Sequence, residues 1–303
     1  MKVIVAAPRG FCAGVTRAVD IVERALERWG APVYVRHEIV HNKRVVGELA
    51  AKGAVFVDEL DEVPPDRPLV FSAHGIAPSV RQHAADRDLQ TVDATCPLVT
   101  KVHSEAKRFA RQGYELVYIG HKGHDEAIGT LGEAPEVMHL VESAEDVAEL
   151  DIPAGKKVAY LTQTTLGVKE TEGIVAALQR CFPHIASPAK EDICYAATNR
   201  QLAVKGMAPR CDVVLVVGSQ NSSNAHRLVE VSRAEGTPAH LIDGPGDLDP
   251  AWLEGVQTAG VTGSASTSET AVQELIASLH PESIEEFRAL DEDVSFNLPP
   301  ELR

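Results

Sequence analysis

Three cysteines, Cys12, Cys96 and Cys194, each open a similar stretch of chain. After each comes a helix-like segment, then a short apolar run, then a polar loop carrying Gly, His, Ser or Asn. The interval from cysteine to loop barely changes: 29 residues from Cys12 to His41, 28 from Cys96 to His124 and 28 from Cys194 to Ser222. An internal repeat limits the possible folds strongly, because one copy cannot bury its apolar faces alone and the copies must stack. Three copies around a pseudo-threefold axis would bring three thiols to one point. Three thiolates at one point make a metal or cluster site with one coordination position open.

The first half of each copy is a helix and a strand. The segments are VTRAVDIVERALERWG then APVYV, PLVTKVHSEAKRFARQG then YELVYIG, and YAATNRQLAVKGMAPR then CDVVLVVG. Apolar residues at helical spacing give way to apolar runs ended by turn residues. A second strand and loop follow in PLVFSAHGIAPSV, KVAYLTQTTLGVKE and TAGVTGSASTSET. Each reads as a strand, a small-residue turn and a helix start, the arrangement whose free amides bind anions. Between the halves lie short βα-like stretches, AVFVDELDEV, MHLVESAEDVAEL and AHLIDGPGDLDP. Alternation of strand and helix predicts an α/β class with parallel sheets. The expected organisation is three α/β repeats, 1–96 (with the N-terminal strand), 97–193 and 194–281, followed by an acidic, irregular tail over 282–303.

Composition excludes some function classes. A net charge of −15 disfavours a nucleic-acid or anionic-membrane partner. Aromatic content of 5% disfavours a stacking platform for single strands. No leader pattern and no apolar run of 18 residues is seen, so a cytoplasmic protein is expected. Five scattered cysteines predict reduced thiols rather than a disulfide framework.

Cys12, Cys96 and Cys194 share a repeat position, which a set of small buried hydrophobes would not need to do. Cys181 and Cys211 have no equivalents and read as inert or surface thiols. Both zinc and an iron–sulfur cluster accept thiolates, but zinc sites usually show short ligand pairs such as C-x-x-C, and none is present. Ligands 84 and 98 residues apart suit a cluster held between repeats. Three ligands to four irons leave one iron open to a substrate oxygen.

The loops supply donors. His41, His74 and His124 stand in glycine- or asparagine-bearing loops, and Ser222, Ser223, Asn224 and Ser266 occupy the loops of the third repeat. Donor-rich, acceptor-poor linings suit phosphate oxygens, so a phosphate or diphosphate pocket is expected. Glu126, in HKGHDEAIG, serves a helix dipole if exposed; enclosed beside an anion, its pKa rises and it becomes a proton donor. Thr164, in LTQTTLG, is placed to orient a substrate hydroxyl or that carboxyl group.

The motifs PRGFCAGV, HEIVHNKRVV, FSAHG, DATCPLVTKVH, GHKGHDEAIGT, LTQTTL, DICYAATNRQ and GSQNSSN run from the first residues to near the tail. With them the chain resembles the LytB/IspH family of 4-hydroxy-3-methylbut-2-enyl diphosphate reductases. The resemblance implies three α/β domains in a trefoil. It implies a [4Fe–4S] cluster on Cys12, Cys96 and Cys194. It implies a substrate pocket of His41, His74, His124, Thr164, Ser222, Ser223, Asn224 and Ser266, with Glu126 delivering protons. The implied reaction removes the allylic hydroxyl with two electrons and two protons, forming isopentenyl and dimethylallyl diphosphates in the last step of the non-mevalonate pathway. Ferredoxin or flavodoxin is the implied electron donor.

The chain departs from the family pattern in two places. Asp125 stands where the family commonly has proline, and an extra carboxylate there would raise the pKa of Glu126 or disfavour a diphosphate, depending on its direction. Ser264 and Ser268 replace a glycine and a proline in the loop SASTSE. Other readings of the residues are an iron–sulfur hydro-lyase that consumes no electrons, a non-catalytic iron–sulfur sensor and a zinc hydrolase.

Overall fold

A computed structural model describes residues 1–303. After β1 (Lys2–Ala7), the first repeat runs α1 (Ala13–Trp29), β2 (Val33–Arg36), α2 (Lys43–Ala51), β3 (Ala54–Val57), β4 (Leu69–Phe71), α3 (Pro78–Asp86) and β5 (Thr91–Asp93). The second runs α4 (Pro97–Arg111), β6 (Tyr114–Ile119), α5 (Asp125–Leu131), β7 (Met138–Val141), β8 (Lys157–Thr162) and α6 (Val168–Cys181). The third runs α7 (Tyr195–Met207), β9 (Val213–Val217), α8 (Ser223–Ala234), β10 (Ala239–Ile242), β11 (Thr258–Gly263) and α9 (Glu269–Ser278), and β12 (Ser283–Arg288) follows. The protein is α/β, as the strand–helix alternation predicts. The βα-like stretches between the halves prove to be strands followed by short 3₁₀ turns.

All sheet pairings are parallel, and the three sheets share one ordering rule. In each repeat the first strand lies between the second and the third: β3-β2-β4, β7-β6-β8 and β10-β9-β11. A further chain segment then adds beside the third strand. It is β5 beside β4, the stretch at Ala186 bridging Ala159 of β8, and β1 beside β11. The segment that adds to each sheet is the one that precedes a cysteine of the set. β1, grouped with the first repeat on sequence, therefore belongs to the third sheet. Its KVIVAA run is almost wholly buried and needs neighbours on both sides, which β11 and β12 supply.

β12 lies within the tail that was expected to be irregular. It pairs with β1 over Lys2–Ala7. Its sequence SIEEFR hides the strand because this is an edge, where charged side chains are tolerated and discourage further pairing. Glu285 pairs with Lys2 and Arg210, and only Phe287 packs inward, over Gly206.

Residues 1–19, 40–51 and 195–296 form one compact unit; residues 20–39, 52–194 and 297–303 form the other. In the first unit, alternate residues of the third sheet face opposite layers. Val3, Val5 and Leu215 meet Val272, Leu275 and Ile276 of α9, while Ile4, Val214 and Val216 meet Val204 and Met207 of α7 and Leu228 of α8. Coverage on both faces is why these strands read as continuous apolar runs. In the second unit, Val117 and Ile119 face Ile174 and Leu178 of α6, and Leu116 and Tyr118 face Val102, Ala106 and Phe109 of α4. No helix is long and apolar enough to cross a membrane.

Candidate functional site

The repeat shows most clearly in how each cysteine is held. Each sits immediately before a helix, in the connection that follows the added segment. Its backbone N–H donates to the carbonyl two residues beyond the end of the third strand of a sheet: Cys12 to Ala265 (3.1 Å), Cys96 to Ala73 (3.0 Å) and Cys194 to Thr164 (2.9 Å). The same backbone bond recurs in all three repeats, so the three thiols occupy equivalent places at the starts of α1, α4 and α7. All three are half-buried, and no cysteine is in a disulfide. The N–H of Val15 is directed at Cys12 Sγ at 3.5 Å. Cys181 is exposed. Burial pushes the Cys211 thiol up to about 11, and its Sγ donates to Met207 O, as befits an inert thiol.

The Cys12 turn has an additional support in the first unit. Arg200 of α7 is 1% exposed. Its guanidinium donates to Gly10 O (2.9 and 2.7 Å), Phe11 O (3.3 Å) and Ala196 O (3.1 Å), and pairs with Glu292 at 3.2 Å. The Tyr195 hydroxyl accepts the Ala13 N–H at 3.1 Å. Sequence reasoning passed over Arg200 and Glu292, because an arginine in a helix and a glutamate in a tail ordinarily mean solvent.

The polar loops keep the same register. His41, His124 and Ser222 each stand five residues beyond the end of the first strand of their repeat, β2, β6 and β9. His74 and Ser266 each stand three beyond the third strand, β4 and β11. The matching residue after β8 is Thr165, which sequence reading missed; Thr164 is level instead with Ala73 and Ala265. The doubled threonine in LTQTTLG was the available signal. Thr165 Oγ1 accepts from Gln163 Nε2 at 2.9 Å.

In the first unit, Ser222 caps α8, accepting the Ala225 N–H at 3.3 Å, with half-buried Ser223 behind it in the first turn. Asn224 Oδ1 accepts the Ala265 N–H at 2.8 Å, while its buried Nδ2 has no protein partner. Ser266 Oγ donates to the carbonyl of half-buried His41 at 3.0 Å. The two departures in this loop have structural roles. Ser264 Oγ lies 2.9 Å from Thr267 Oγ1 and 3.3 Å from Ser266 Oγ, and Thr267 donates onward to Val217 O. Ser268 caps α9 through the Ala271 N–H at 3.3 Å, a role typically worth about 1 kcal/mol.

In the second unit, His124 caps α5: its Nδ1 accepts the Glu126 N–H at 3.1 Å. Accepting there uses the Nδ1 lone pair, so the ring proton resides on Nε2. Glu126 is 2% exposed. Its Oε1 accepts the Thr164 N–H at 2.7 Å, and its Oε2 lies 2.9 Å from the Thr164 hydroxyl. Burial pushes its carboxyl up to about 7; the two Thr164 donors pull it down, and the charge of Asp192 adds to the rise. Burial also pushes Asp192 itself up to about 6, against the pull of Lys101 at 2.7 Å. Asp125 directly precedes Glu126 on α5. Its carboxylate turns to His37 and His74.

The His74 loop owes its shape to Gly75. The backbone there is left-handed (φ +85°), and a Cβ would meet His103 at 3.0 Å and Val99 at 3.1 Å. His103 is itself held by Glu133 at 2.7 Å in a buried pair. The rings of His74 and His124 stand edge to face with centroids 5.9 Å apart. A raised carboxyl held at both oxygens by a threonine, beside the imidazole that caps the same helix, has the chemistry of a proton donor.

Comparison with known proteins shows the family of the chain. The family model described as LytB protein matches residues 3–280. The 4-hydroxy-3-methylbut-2-enyl diphosphate reductase of Azoarcus sp. strain BH72 is 56% identical over 305 residues, covering 100% of this chain and 98% of that protein. The enzyme of the same name from Mycolicibacterium paratuberculosis is 55% identical over 306 residues, covering 100% and 92%. Among solved structures, the E-1-hydroxy-2-methyl-but-2-enyl-4-diphosphate reductase of Plasmodium falciparum superposes with a TM-score of 0.97 at 41% identity, covering 100% of this chain and 96% of that one. With a family model spanning nearly its whole length and relatives this similar end to end, the chain belongs to the LytB family.

Proposed function

We propose that this chain is an oxidoreductase that converts 4-hydroxy-3-methylbut-2-enyl diphosphate to isopentenyl and dimethylallyl diphosphates, closing the non-mevalonate route to isoprenoids. The observation that carries the reading is the threefold recurrence of one cysteine position, each amide tied to the matching carbonyl two residues beyond the third strand of a sheet. Three half-buried thiols outside any disulfide suit a [4Fe–4S] cluster, which takes soft thiolate ligands and here would have three. Cys12, Cys96 and Cys194 would hold it, and when bound it supplies the two electrons of the reaction. Ferredoxin or flavodoxin would feed those electrons in.

The chain's own residues do the rest. His41, His74, His124, Ser222, Ser223, Asn224 and Ser266 are donors for the diphosphate oxygens. The buried Asn224 Nδ2, without a protein partner, suits an anion acceptor. Thr164 holds both oxygens of Glu126 and so fixes the direction in which its proton leaves. Glu126 holds that proton near neutral pH and gives it to the departing hydroxyl, which leaves as water. Substrate, two electrons and two protons thus balance against one five-carbon diphosphate and one water.

The test is anaerobic oxidation of a reduced viologen by the cluster-loaded protein, with and without substrate. Substrate-dependent dye oxidation with formation of both dehydroxylated products is expected. An intact cluster with no electron uptake would overturn the reductase reading in favour of a hydro-lyase or sensor. In parallel, Cys12→Ser, Cys96→Ser and Cys194→Ser should each lose iron and labile sulfide, whereas Cys181→Ser and Cys211→Ser should retain them. Unchanged iron in any of the first three removes that residue from the ligand set, and zinc without sulfide would mean a hydrolase.

A further inference from the structure

Asp125 is the first residue of α5, where a carboxylate ordinarily serves the helix dipole and faces solvent. Here it does neither in the usual way. Its side chain is 18% exposed, with Oδ1 2.7 Å from His37 Nδ1 and Oδ2 3.8 Å from His74 Nδ1. The His37 backbone is left-handed (φ +57°), a conformation that costs a residue with a Cβ about 1 kcal/mol or more. It is held there by its N–H bond to Val57 O at 2.8 Å and by the ring's bond to Asp125. A carboxylate that served only the dipole would need no strained histidine to hold it. One oxygen fastened to His37 leaves the other facing the Nδ1 edge of His74.

We infer that Asp125, anchored by His37, is a positioning residue for His74: its carboxylate faces the Nδ1 edge of that ring, so that a ring protonated on both nitrogens offers its Nε2–H to the diphosphate. Carboxylates that receive one ring nitrogen of a histidine and so direct the other are a common support for functional imidazoles. The inference rests on His74 taking the diphosphate, as proposed above. It depends on Asp125 at the start of α5.

The experiment is a titration of the cluster-loaded protein with inorganic pyrophosphate, paired with steady-state kinetics. Asp125→Asn keeps the size of the side chain and removes its charge. Asp125→Pro removes the carboxylate while keeping the helix start, because proline suits the first helical position and His124 before it already has extended backbone (φ −70°, ψ 137°). Both should weaken pyrophosphate binding about tenfold, the low end for loss of a group supporting a functional histidine. The kinetic loss should fall mainly in KM rather than kcat, and Asp125→Glu should recover part of the affinity. Combined with His74→Asn, Asp125→Asn should add little, because the two act through one ring. If His74→Asn weakens pyrophosphate but Asp125→Asn does not, or if their effects add in full, the positioning role is wrong. If His74→Asn leaves pyrophosphate binding unchanged, the diphosphate reading of His74 fails, and this inference falls with it.

Discussion

Replacing Glu126 with Gln should cut turnover by about 10²–10⁴-fold, the usual worth of a positioned general acid, and should make the protein more stable above neutral pH. Gln is nearly isosteric, so Oε1 can still accept the Thr164 N–H and the new amide can donate to the Thr164 hydroxyl. The stability effect follows from the raised carboxyl. Below about pH 4.5 the group is protonated whether the chain is folded or not and adds no pH dependence. As pH rises from there towards about 7, the unfolded chain gives up its proton while the folded chain keeps it, so stability falls with pH. Above about 7 the full penalty of a buried carboxylate is present, on the order of 3 kcal/mol. The Gln variant carries no such penalty. Urea midpoints for the two proteins should therefore coincide in acid and diverge as pH rises through neutrality, with the variant higher. Wild-type kcat should decline over the same interval as the acid form is lost. Normal turnover in the variant, or a stability difference that does not grow with pH, would remove Glu126 from the proton-delivering role.

Arg200→Met should destabilise the first unit by about 3–5 kcal/mol, the usual cost of breaking a buried ion pair from one side. The substitution retains apolar volume but strips donors from three backbone carbonyls and leaves the Glu292 carboxylate with Asn199 as its remaining partner. Because two of those carbonyls, at Gly10 and Phe11, lie directly before Cys12, iron content should fall along with the denaturation midpoint. Arg200→Lys should recover little, since an ammonium cannot reproduce the forked contacts to Gly10, Phe11 and Glu292. Adding Glu292→Gln to Arg200→Met should recover part of the loss by removing the uncompensated charge. A variant that keeps wild-type stability and iron would show that the Cys12 turn holds its shape without Arg200.

The repeat, the α/β alternation, the three equivalent cysteines and most of the polar loops are legible in the order of residues alone. These features are local: strand period, helix period and turn chemistry are written within about 30 residues, and a repeated interval reports equivalent places without naming their neighbours. Tertiary structure decided what depends on partners distant along the chain. β1 and the acidic β12 complete the third sheet, because pairing is set by neighbouring strands and not by a strand's own composition. Arg200 and Glu292 look like surface residues until the PRGFC turn and the tail fold over them. Asp125 adjoins Glu126 in sequence yet faces His37 and His74, while Asp192, 66 residues on, puts its charge on Glu126. Thr165, not Thr164, falls at the repeat position of His74 and Ser266. Side-chain direction and burial set these roles, and both are fixed only when other segments pack against the loop that carries them.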